Sequence, residues 1–111
     1  MADRIVGVRF EDEDGNVVAE FALRGGVAVA TEGADSQLAM SVSHGIVLDG
    51  PYATSARHIG AAHGLDVPPG RYTQKDGGAY LVALLATHWH HHHVRATPIT
   101  SGREPSTAVR G

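Results

Sequence analysis

At 111 residues, with 42% apolar and only 5% aromatic residues, the chain has the size of one domain with a core built mainly from Ala, Val, Leu and Ile. It holds no cysteine, which excludes disulfides, thiolate metal sites and a cysteine nucleophile, and favours a cytoplasmic location. The net charge of −3, with nine basic residues scattered singly, argues against a face built to grip a nucleic-acid backbone.

Residues 4–10 alternate as a strand, with Val6, Val8 and Phe10 on one face and Arg9 on the other. The acidic stretch 11–16 follows, and its Asp14-Gly15 pair signals a hairpin turn. Next, Val17, Ala19, Phe21 and Leu23 point inward, while Val18, Glu20, Ala22 and Arg24 point outward. Gly25-Gly26 breaks that strand, and residues 27–30 read as a third short one. The first third is therefore expected to be an antiparallel meander.

The pattern then changes. Asp35 or Ser36 can cap a short helix carrying Leu38, Ala39 and Val42, ended by Gly45. Ile46-Val47-Leu48 is a short apolar run stopped by Asp49-Gly50-Pro51. Thr54 or Ser55 can cap a second helix through Ile59 and Ala62 to His63, ended by Gly64. Residues 67–70, Val-Pro-Pro-Gly, read as a rigid turn.

Leu81, Leu84, Leu85 and His88 recur at helical spacing and predict the longest helix, over 78–91, with Asp76 as its cap. After Val94 the composition turns to Thr, Pro, Ser, Gly and Arg, and residues 101–111 read as a flexible tail. The expected fold is α+β: an N-terminal antiparallel β-meander packed against two short helices and one longer C-terminal helix. One compact domain is expected over 1–100.

The first ten residues lack the basic-then-apolar layout of a signal peptide. The longest apolar run, residues 79–86, is far short of the ~20 residues of a membrane span. Membrane partners are accordingly not expected.

Chemistry-bearing residues concentrate at His88-Trp89-His90-His91-His92-His93, which holds five of the eight histidines. On a helix, His88, His91 and His92 stand at i, i+3 and i+4 and share one face. They form a candidate site for a divalent transition metal such as Zn, Ni, Cu or Fe, with a further ligand from His58 or His63. On a strand the group would instead be His88, His90 and His92. No carboxylate lies between Asp76 and Glu104 to complete or orient such a set. The competing account is a His-rich polar helix end.

Other constellations are weaker. The acidic turn fails the EF-hand pattern, because Phe10 and Phe21 fall where carboxylates are required. No Gly-x-Ser-x-Gly elbow surrounds Ser41 or Ser43. His58 and His63, roughly 140° apart on a helix, share a face poorly. Either of them, or His44, could serve as a base if it faced Asp49 or Asp66. Gly25-Gly26 and Gly77-Gly78 lack any phosphate-loop spacing.

Two functional readings stand. In the first, the chain is a small cytoplasmic accessory or protein-interaction protein (a regulator, an inhibitor or an assembly component) without catalytic chemistry of its own, its partner another protein or a second copy. The exposed sheet edge and the C-terminal segment are its natural contact surfaces. In the second, it binds metal or acts as a metal-dependent enzyme through the 88–93 cluster.

Overall fold

The computed structural model is described over residues 4–32, 45–88 and 95–101. Three strands open the chain: β1, Ile5–Glu11; β2, Val17–Arg24; and β3, Val27–Glu32. They form the expected antiparallel meander. The hairpin between β1 and β2 closes on Asp12, whose Oδ1 accepts hydrogen bonds from the backbone N–H groups of Asp14 and Asn16, each at 2.9 Å. The acidic stretch is thus a self-satisfied turn. The β2–β3 turn needs positive φ at both central residues, which Gly25 (61°) and Gly26 (81°) supply.

Burial along β1 departs from simple alternation. Ile5, Val8 and Phe10 are buried, whereas Val6 is only half-buried. The register of β1 against the last strand slips between Ile5 and Gly7. Such a bulge shifts the alternation by one residue, so Ile5 takes the inward place expected for Val6.

Two helices follow among the described residues, not three. Helix α1 runs Gly50–Ala62 (13 residues) and helix α2 runs Gly78–His88 (11 residues), so the C-terminal helix is not the longer one. The helix expected over 35–45 lies outside the described residues. Helix α1 starts earlier than Thr54 because Pro51 sits in its first turn, where a missing N–H costs nothing, instead of breaking the chain. Helix α2 is not capped by Asp76. That carboxylate closes a short 3-10 turn, Gln74–Asp76, by accepting from the Thr73 N–H at 2.7 Å. The first bond into α2 runs from the Leu81 N–H to the Gly77 carbonyl at 3.1 Å.

Two more strands form a separate antiparallel pair: β4, Ile46–Leu48, and β5, Gly70–Tyr72. The last strand, β6, is Arg95–Thr100 and pairs antiparallel with β1, giving the sheet order β3-β2-β1-β6. The sequence reading missed both β5 and β6. The expected tail beyond Ser101 lies outside the described residues, and Ser101 itself donates its N–H to the Arg4 carbonyl at 2.9 Å.

Helix α2 is the centre of the core. Every residue from Tyr80 to Ala86 is buried, so the helix is covered on all sides instead of along one stripe. It packs on β1 of the sheet, on β4 and on α1. Phe10 and Phe21 meet beneath it edge-to-face, with ring centroids 6.0 Å apart. Helix α1 presses in through the small residues Ala53, Ala56 and Gly60. Among the described residues, no helix is long and apolar enough to cross a membrane.

Candidate functional site

The residue spacing of α1 builds one wall of a groove. Ser55, His58, Ile59 and Ala62 fall at i, i+3, i+4 and i+7, a single stripe of the helix adjacent to its buried Ala53-Ala56-Gly60 face, and His63, the residue that caps the helix end, extends it. His58 and His63 occupy the two flanks of that stripe. They were expected to share a face poorly, yet both line the groove, because it is wide enough to take the whole stripe.

The opposite wall is β6, through Arg95, Ala96 and Pro98, and Leu85 of α2 forms the floor. The groove has a volume of about 590 Å³, inside the range of small-molecule sites. Ala96 and Pro98 pair with Phe10 and Val8 of β1, both core residues. Their side chains therefore lie on the helix side of the sheet, and α1 stands across from them. The groove exists because α1 leans on α2 and leaves β6 partly uncovered on that side.

Electrostatically the lining is one-sided. Arg95 is an exposed guanidinium, His58 is an exposed imidazole and His63 is half-buried. Among the described residues no Asp or Glu lines the groove, although acids outnumber bases in the chain. Neither Asp49 nor Asp66 is among the described residues that line the groove. His44 lies outside the described residues.

The metal set named from sequence lies mostly outside the described residues. His88 is the last residue of α2, while His91 and His92 lie outside the described residues. Among the described residues, no group of three or more potential metal ligands comes together. Arg95, Ala96 and Pro98 escaped the sequence reading altogether. Their signal was the period-two succession from Arg95 to Thr100, masked by a proline that an edge strand tolerates.

The sheet edges bear on recognition as well. On β3, the Gln74 side chain donates from Nε2 to the Ala28 carbonyl at 3.0 Å, so the turn before α2 guards that edge. On β6, Pro98 removes a donor from the strand. Both edges carry a device that resists pairing with another strand.

No protein-family model matches the sequence, and no match emerges among curated proteins or among solved structures.

Proposed function

We propose that this is a small cytoplasmic accessory protein that acts by recognition, without catalytic chemistry of its own, and that its recognition surface is the groove between α1 and β6. The observation that carries the proposal is the composition of the groove. An apolar floor and walls (Leu85, Ile59, Ala62, Ala96, Pro98) are edged by His58, His63 and Arg95, with no Asp or Glu among the described lining residues. The guarded edges of β3 and β6 favour the groove over the sheet edge as the contact surface. The cysteine-free sequence supports the cytoplasmic placement.

The test is a small-molecule fragment screen followed by amide chemical shifts. Hits are expected to perturb Ser55, His58, Ile59, Ala62, Leu85 and Ala96 together. Perturbations scattered over the surface, or gathered on the outer face of the sheet around Arg9 and Glu20, would remove the groove as the recognition surface.

A further inference from the structure

We infer that the groove between α1 and β6 binds a small amphipathic carboxylate, its apolar body against Leu85, Ile59 and Pro98 and its anionic head against Arg95 and His58. The inference rests on the groove being a recognition surface and adds the class of ligand.

Three observations select that chemistry. The first is charge. In a chain of net charge −3, the described lining of the groove gathers one arginine and two histidines and no acid, so an anion gains where a cation is repelled. An ion pair joins Arg9 to Glu20, away from the groove. Arg95, which stands opposite Glu11 in the strand pairing, forms no ion pair among the described residues, so its guanidinium can hold an incoming carboxylate through two parallel bonds.

The second is shape. The floor residue Leu85 is buried and the stripe between the two histidines, Ile59 and Ala62, is apolar. An alkyl or aryl body fits there, and a strongly polar ligand such as a sugar phosphate does not. The third is the strand beside it. Pro98 denies β6 part of its hydrogen-bonding edge, which disfavours an extended peptide laid along the strand and leaves a free small molecule as the occupant.

The test compares octanoate, octanol and octylamine on the intact chain, followed by amide shifts and calorimetry, beside a terminally blocked peptide of alternating Leu and Glu. Octanoate is expected to bind in the groove at least about fivefold more tightly than octanol, with octylamine weaker still. Arg95→Gln, at an exposed position, is expected to leave the amide spectrum otherwise intact. It should lower octanoate affinity about fivefold to tenfold and leave octanol affinity unchanged.

Equal binding of octanoate and octanol, or an Arg95→Gln variant that binds octanoate as the parent does, overturns the anion preference while leaving the groove a recognition surface. Absence of binding by all three probes overturns both. Tighter binding of the blocked peptide than of octanoate overturns the small-molecule class and makes the occupant a protein segment.

Discussion

The Nε2 of Gln74 donates a hydrogen bond to the carbonyl oxygen of Ala28 at 3.0 Å, joining the turn ahead of α2 to the outer edge of β3 across 46 residues of sequence. Ala28 is fully buried, so its carbonyl has little access to water. Gly77, three residues on, lies so close that a Cβ there would sit 2.6 Å from the Gly26 carbonyl oxygen. The contact is therefore both a latch for the turn and a shield for the strand.

Gln74→Ala is expected to cost about 1 kcal/mol, because the Ala28 carbonyl keeps its desolvation and loses its donor. Urea unfolding measures the loss, and amide exchange locates it. The amides of residues 27–30 should lose protection while those of β1 keep theirs. A variant with unchanged stability and unchanged exchange in β3 would show that the edge is held by something else.

Gly60 offers a second test, in which two effects of opposite sign compete. Replacing an interior helical glycine by alanine ordinarily gains about 1 kcal/mol from backbone entropy. Here an added Cβ would lie 2.9 Å from the Leu65 carbonyl oxygen and 2.9 Å from a Val67 methyl. The Leu65 N–H is itself bonded to the Gly60 carbonyl at 2.8 Å, so the loop is tied to the helix at that point and yields little. Overpacking against backbone typically costs 1–3 kcal/mol, so Gly60→Ala is expected to destabilise by about 1–2 kcal/mol net. Ala61→Gly, on the exposed side, should cost about 1 kcal/mol through propensity alone. Thermal melts of the two variants decide it, and a higher melting temperature for Gly60→Ala would mean that the loop gives way.

Local chemistry explains which parts of the fold the residues announce. Alternation in β1 and β2, the Asp14-Gly15 turn and the Gly25-Gly26 turn are decided within a few residues of one another, and so they are legible. Helix α2 is legible in position for the same reason. Its burial on all sides is not, since that depends on α1 and the sheet closing around it.

Strand β5 is three residues that pair with β4, some twenty-five positions away, and the Pro-Pro-Gly ahead of it reads as a turn. Strand β6 carries Pro98, which local rules count against a strand unless its place at the sheet edge is known. The groove inherits this division. Its histidine stripe follows from helical spacing, but Arg95, Ala96 and Pro98 arrive by a pairing with β1 more than eighty residues away in sequence. The slip beside Gly7, which exchanges Ile5 for Val6 in the core, is equally a product of that pairing.

Tyr80 supplies the last prediction. Its ring is fully buried in α2, and its hydroxyl has no hydrogen-bond partner among the described residues. A buried donor without an acceptor costs free energy, so removing the oxygen should be neutral or favourable. Tyr80→Phe is expected to keep stability or raise it by about 1 kcal/mol. Burial also pushes the phenol up to about 12, from an ordinary value near 10. The folded state therefore resists losing that proton while the unfolded chain gives it up. Stability from this residue is complete below about pH 10 and falls as pH rises from about 10 toward about 12, with the unfolded phenolate favoured throughout. Tyr80→Phe lacks this loss, so its advantage over the parent should widen by about 1 kcal/mol between about pH 9 and about pH 11. Urea midpoints of both proteins at the two pH values test this, and Tyr72, present in both, cancels in the comparison. A variant less stable than the parent by more than about 1 kcal/mol at neutral pH would mean that the hydroxyl is hydrogen-bonded after all.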